Sequence, residues 1–193
     1  MITRLERDIF FVAGVHFNDA FHINSYDIML SMLIETEVPQ EHHIAMERLD
    51  FFIKNSITNG IFINEENLDM IEKLSNAEFS LITLPGEPFD QIVAMTLLLK
   101  LNAIMENRIK ITDITISSLL GEGLRYPIVS ETAENADIMV GDNWWHRSDL
   151  ETTNQNVFLF EPENNVVKLF DDSVWAQHDL SWKEKPKTIL TPE

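Results

Sequence analysis

Six histidines, 32 aspartates and glutamates and no cysteine define the chemistry open to this chain of 193 residues. Without thiols there is no disulfide, thiolate zinc site, iron–sulfur cluster or cysteine nucleophile. Histidine, carboxylate, hydroxyl and backbone groups remain. His43 and Glu47 stand four apart in a segment patterned as a helix, so they share a face and would hold one edge of a metal ion. His16 or His22, from a preceding strand hairpin, would complete the set. Such a site would make the chain a small metal-dependent hydrolase using histidine and carboxylates. The plainer reading of His42 and His43 is a pair of solvated residues in a first helical turn, because the spacing matches no established ligand motif. The G-x-S-x-G elbow, the H-E-x-x-H helix and the P-loop are all missing from the sequence. Gly121-Glu122-Gly123 has no helix after it to turn its amides into a phosphate cradle. No cofactor is predicted.

The segment 141–149, Gly-Asp-Asn-Trp-Trp-His-Arg-Ser-Asp, places two adjacent tryptophans in a polar setting with His146 and Arg147. In extended chain, neighbouring side chains diverge. One of Trp144 and Trp145 would then anchor the loop while the other meets a partner, with Arg147 beside it, since Trp and Arg dominate interface hot spots. The competing expectation is that both indoles simply pin a long loop to the core.

Charge narrows the partners. Lys and Arg number 14 against the 32 acids, a formal charge of −18, so direct binding to nucleic acid or an anionic membrane is not expected. Seven acids and no Lys or Arg lie between Arg7 and Arg48. Acidic faces of this kind raise a second alternative, a nucleic-acid mimic or inhibitor, which would require the carboxylates in a regular array. The start of the chain does not read as an export signal, and the longest apolar run, Ile92 to Met105, is shorter than the ~20 residues of a bilayer span. A cytoplasmic protein, of a bacterium or a phage-infected host, is the expectation.

The elements that must position these residues follow from periodicity. Asp8 to Phe17 reads as a strand ended by an Asn18-Asp19 turn, and Ile28 to Ile34 as its hairpin partner. From Gln40 to Ile57, Ala45, Leu49, Phe52, Ile53 and Ile57 mark one helical face. Asn59-Gly60 ends this helix, with Gly60 expected in the left-handed conformation. A short strand Ile61–Ile63 leads to Asn64, the expected N-cap of a second helix, and Phe79 to Leu84 forms another strand. The central helix runs from Pro88 to Asn107 and is apolar on most sides, so it lies between layers or meets another subunit. Ile109 to Ser117 is a strand whose alternation changes parity at Thr112-Asp113, predicting a β-bulge. Leu124 to Val129 is its partner strand, and Pro127 puts that strand at a sheet edge or at a bulge. Ala136 to Val140 is a candidate strand, and Asn156–Phe160 with Val166–Phe170 a C-terminal hairpin. The sum is one α+β domain, residues 1–180, with a mixed, mainly antiparallel sheet and about three helices, followed by an extended arm, 181–193.

Leu84-Pro-Gly-Glu-Pro-Phe-Asp-Gln-Ile-Val, Lys100-Leu-Asn-Ala-Ile-Met-Glu-Asn-Arg-Ile, Ile116-Ser-Ser-Leu-Leu-Gly-Glu-Gly and Gly141-Asp-Asn-Trp-Trp resemble uncharacterised proteins of large tailed phages and their marine relatives, across residues 40–147. The resemblance implies a setting of short acidic accessory proteins and transfers no site. With no catalytic motif and an over-apolar central helix, the leading expectation is a non-enzymatic interaction or assembly protein whose partner is protein, as a homo-oligomer.

Overall fold

The apolar alternation in the first 34 residues produces two strands of equal length. In the computed structural model, which describes residues 3–34, 39–77, 79–106 and 108–154, β1 (Thr3–Phe17) and β2 (Ala20–Ile34) form an antiparallel hairpin paired from end to end. Asn18 and Asp19 both take positive φ in its two-residue turn, the geometry that matches strand twist and that Asn and Asp tolerate. β1 starts five residues before the expected Asp8. The charged run from Arg4 to Asp8 has little strand propensity of its own, but pairing with Met29–Leu33 draws it into the ladder.

Six strands make one mixed, mostly antiparallel sheet in the order β4-β3-β1-β2-β5-β6. β3 (Ile61–Asn64) runs parallel to the end of β1, and β4 (Leu81–Leu84) parallel to β3. β5 (Ile109–Ser118) pairs antiparallel with β2, and β6 (Tyr126–Val129) with β5. The predicted bulge is present. Ser31 stands opposite Asp113 and Met32 opposite Ile111, leaving Thr112 as the extra residue. Pro127 lies in β6, the edge strand, where its missing N–H costs no ladder bond.

On one face lie α1 (Pro39–Phe52) and α3 (Asp90–Met105), covering Ile9, Phe11, Ala13 and Val15 of β1 and Tyr26, Ile28, Leu30 and Met32 of β2. The five positions expected to form the stripe of α1 are all buried. Its last turn widens into a π-helix, Ile53–Ile57, closed by Thr58, which donates both its N–H (2.8 Å) and its hydroxyl (2.9 Å) to the Ile53 carbonyl. Asn59, not Gly60, then takes the left-handed conformation, at φ 63°. Gly60 is required for a different reason, since a Cβ there would stand 2.7 Å from Ile82 Cδ1. Among the described residues the opposite face is covered at one side, where α2 (Leu68–Asn76) packs Ile71 and Leu74 on Ile61, Ile63 and Leu81. Its N-cap is Asn67, whose side chain accepts the Met70 N–H. Asn64 instead accepts the Glu66 N–H at 3.0 Å, forming an Asx turn one step earlier.

α3 crosses β3, β1 and β2 between the parallel strands β4 and β5. It is buried on nearly every side, at Val93, Leu97, Leu98, Leu101 and Ile104 against the sheet and α1, and at Lys100 and its neighbours against the segment 139–150. The expected strand Ala136–Val140 is not formed. The short helix α4 (Ser130–Glu134) and a 3-10 turn at Asp137–Met139 occupy this stretch, with Met139 donating to the Ala136 carbonyl at 2.8 Å. The C-terminal hairpin and the 181–193 arm lie outside the described residues. No helix among those described is long and apolar enough to cross a membrane.

Candidate functional site

The residues expected to ligate a metal do not converge. His43 and Glu47 pair with each other on the outside of α1, Nε2 to Oε1, at 3.0 Å. His16 and His22 belong to opposite faces of the hairpin, because His16 stands opposite Phe21 while His22 stands opposite Val15, one residue away in a ladder of period two. His22 is exposed at the end of the sheet, whereas His16 is buried under Phe21, with ring centroids 4.9 Å apart, and its Nδ1 lies 3.5 Å from the Asn67 amide. Among the described residues no group of three or more His, Asp or Glu side chains is placed to hold a metal ion.

The tryptophans correct the interface expectation built on them. Trp144 and Trp145 both have 0% exposure. They sit in a 3-10 turn, Trp144–His146, rather than in a strand, so their side chains do not diverge to opposite faces. Each indole is satisfied inside the fold, Trp144 Nε1 donating to the Thr83 carbonyl (2.8 Å) and Trp145 Nε1 to the Met139 carbonyl (3.2 Å). Arg147 is turned onto its own loop, bonded to Asp149 and Glu151 at 3.1 and 2.8 Å. Both indoles and Arg147 therefore serve the fold.

Lys100 explains how the loop is held. Its ammonium, fully buried in α3, donates to the carbonyl oxygens of Trp144 (3.0 Å) and Arg147 (2.9 Å) and to Asp149 Oδ1 (3.1 Å). Three donors meet three acceptors. Burial pushes the amine down to about 8, against the upward pull of the Asp149 carboxylate. The sequence signal was a single lysine inside an apolar run, whose charge had to find acceptors or leave the core. α3 is thus apolar all round because sheet and loop enclose it, which removes its surface from the case for a subunit contact.

A second buried polar group joins the start of α3 to the end of β5. Ser118 Oγ donates to Asp90 Oδ2 and accepts the Gly121 N–H, both at 3.0 Å. The Asn24 carboxamide oxygen accepts the Leu120 N–H at 3.0 Å. Burial raises the Asp90 carboxyl, with the Ser118 hydroxyl opposing it. Burial also raises the Tyr26 phenol, opposed by the Asn24 side chain and reinforced by the Asp90 charge. A Cβ at Gly121 would run into the Asp90 carboxylate. The Ser118 hydroxyl is committed to Asp90 of α3 as donor and to the Gly121 N–H of the β5–β6 loop as acceptor, so this arrangement ties a turn to the helix. Glu65, raised by burial, is likewise held by the Asn154 amide at 2.9 Å.

Among the described residues, what is left exposed is the half of the sheet that α2 does not reach. Even-numbered β1 residues and odd-numbered β2 residues share this face. Phe10 is 69% exposed, Ile23 79%, Phe21 52% and Met29 41%. Val12, between Phe10 and the Gly14–Ile23 pair, is half-buried. Met29, Phe10, Val12, Ile23 and Phe21 follow one another as diagonal or same-strand neighbours, so they form one winding apolar track, with Asp8, Asp27 and Ser25 standing opposite Met29, Phe10 and Val12 along it.

The edges of the sheet differ as well. The outer side of β4 is covered by the chain at Thr152, whose carbonyl accepts the Thr83 N–H at 3.0 Å and whose hydroxyl donates to the Leu81 carbonyl. β6 is only four residues long and carries Pro127. The outer side of β1 is paired at one end alone, where the Asn59 N–H reaches the Val12 carbonyl (2.9 Å) and the Gly14 N–H the Gly60 carbonyl (2.8 Å). Backbone direction alternates along a strand, so the N–H and C=O groups of Arg4, Glu6, Asp8 and Phe10 point the same way. Among the described residues none pairs with them.

No protein-family model matches the chain. No curated protein matches it. An uncharacterized protein from Wolinella succinogenes, of known crystal structure, is 11% identical, with a TM-score of 0.48 over 67% of this chain and 98% of that one. The 6-pyruvoyl tetrahydropterin synthase of Plasmodium vivax is 9% identical, with a TM-score of 0.42 over 66% of this chain and 97% of that one.

Proposed function

We propose that this chain is a non-enzymatic interaction protein of the cytoplasm that assembles with copies of itself. The observation that carries the reading is the bare apolar patch of the β1–β2 hairpin, Phe10, Ile23, Phe21 and Met29. It lies on the back of strands whose other face is buried at Ile9, Phe11, Ala13 and Val15 and at Tyr26, Ile28, Leu30 and Met32. Contiguous exposed apolar groups of this size, rimmed by charges, mark surfaces that meet protein. The chain's strong negative charge favours a protein surface over a polyanion.

Gel filtration with light scattering at micromolar concentration tests the reading. The wild type is expected to run as an oligomer. Ile23→Asp, at a position 79% exposed, should keep its melting temperature within a few degrees and shift the equilibrium toward smaller species. A wild type that stays monomeric up to high micromolar concentration overturns the proposal.

A further inference from the structure

The side of β1 that is unpaired among the described residues is accompanied by a groove of about 390 Å³, bounded by Arg7, Asp8, Ile9 and Phe10 on the strand and by Asp50, Ile53, Lys54 and Thr58 along the end of α1, its π-helical turn and the cap. A long strand edge with unpaired backbone groups is a template for another strand. The charges along it decide which strand and in which register. We propose that the edge takes β1 of a second copy, antiparallel, about a two-fold axis at Leu5, so that Arg4 of each copy stands opposite the partner's Glu6.

The register follows from the side chains. Antiparallel pairing of two identical strands about residue five sets Arg4 against Glu6 twice, both as hydrogen-bonded pairs with outward backbone groups, and Leu5 against itself on the helix side. Moving the axis to Glu6 sets Arg4 against Asp8 but brings the two Glu6 carboxylates together at the centre of the seam. At Arg7 it opposes Glu6 to Asp8 and Arg7 to itself, and at Asp8 it opposes the two Asp8 side chains. Like charges directly opposite in a ladder are unfavourable. Only the Leu5 axis puts opposite charges at both outward positions of the shared stretch.

A further feature agrees. Arg4 and Glu6 are exposed and make no ion pair within the described chain, whereas Arg7 is already engaged by Asp50. A two-fold axis normal to the sheet keeps each side of the sheet on its own side, so Arg4, Glu6 and Asp8 of both copies line the seam on the outer face and the two apolar patches lie apart at its ends.

The inference rests on the self-association reading and is tested by charge exchange in the full chain. Arg4→Glu and Glu6→Arg each create two like-charge pairs in the dimer and should weaken association roughly tenfold or more, with melting of the monomer unchanged. The double variant Arg4→Glu/Glu6→Arg restores opposite charges and should dimerise within about threefold of wild type, which a merely nonspecific charge effect would not reproduce. Hydrogen exchange should show the Arg4 and Glu6 amides protected only at concentrations where the dimer forms. A wild type that associates, with both single variants associating equally well or with the double variant failing to recover, overturns the edge pairing and leaves self-association standing. A wild type that is monomeric throughout overturns both.

Discussion

The Lys100 ammonium sits 2.9 Å from the Arg147 carbonyl oxygen, 47 residues further along the chain and with the lysine side chain fully buried. This contact and its counterpart at Trp144 tie α3 to the segment that roofs it. Replacing the lysine by methionine keeps the stem and deletes all three donors, leaving buried carbonyls without partners. Lys100→Met should cost about 3 kcal/mol, measured by urea denaturation at neutral pH.

The same lysine sets a pH dependence. Its folded-state value, about 8, lies below the ordinary 10.5, so between these limits the unfolded chain binds more protons than the folded one. Stability from this group therefore rises as pH increases from about 8 to about 10.5, by up to about 3 kcal/mol. The difference between wild type and Lys100→Met across this range isolates the effect, because other groups titrate alike in both. A difference that stays flat from pH 7 to 11 would show that the buried amine keeps its ordinary affinity for a proton.

Trp144→Ala and Trp145→Ala should each destabilise by about 3–5 kcal/mol, with no selective loss of association once the folded fraction is corrected for. Both rings are enclosed and both indole N–H groups are bonded within the chain. Thermal melts paired with light scattering separate the two effects.

Asp90 has a raised carboxyl, and the sign is opposite to that of a salt-bridged acid. Its contribution is fully present below the ordinary value of 3.8 and is lost as pH rises through the folded-state value. Asp90→Asn retains an acceptor for the Ser118 hydroxyl and carries no charge. It should therefore match the wild type in acid and gain on it toward neutrality, as read from denaturation midpoints at pH 3.5 and pH 7.

Gly60→Ala should cost about 1–3 kcal/mol from overpacking against Ile82. Asn59→Gly, at the position with positive φ, should change stability by less than about 1 kcal/mol. Equal effects at the two sites in chemical denaturation would contradict the division of roles between them.

Local chemistry was readable without the fold. The turn at Asn18-Asp19, the stripe Ala45–Leu49–Phe52–Ile57, the bulge at Thr112 and the edge position of Pro127 each follow from sterics or periodicity within a few residues, and they survive in the structure. The mixed α+β architecture follows from their sum. Tertiary structure alone decided the rest. β1 reaches back to Thr3 because β2 is equally long, and position 60 is held to glycine by the nearness of Ile82 while Asn59 takes the left-handed turn. His16 and His22 are parted by a hairpin register, and Trp144 and Trp145 are both enclosed because Lys100 folds their segment over α3. The strand order and the uncovered half-sheet belong to the same class. Each depends on which distant element supplies a neighbour, and the spacing of residues along one segment carries no record of that.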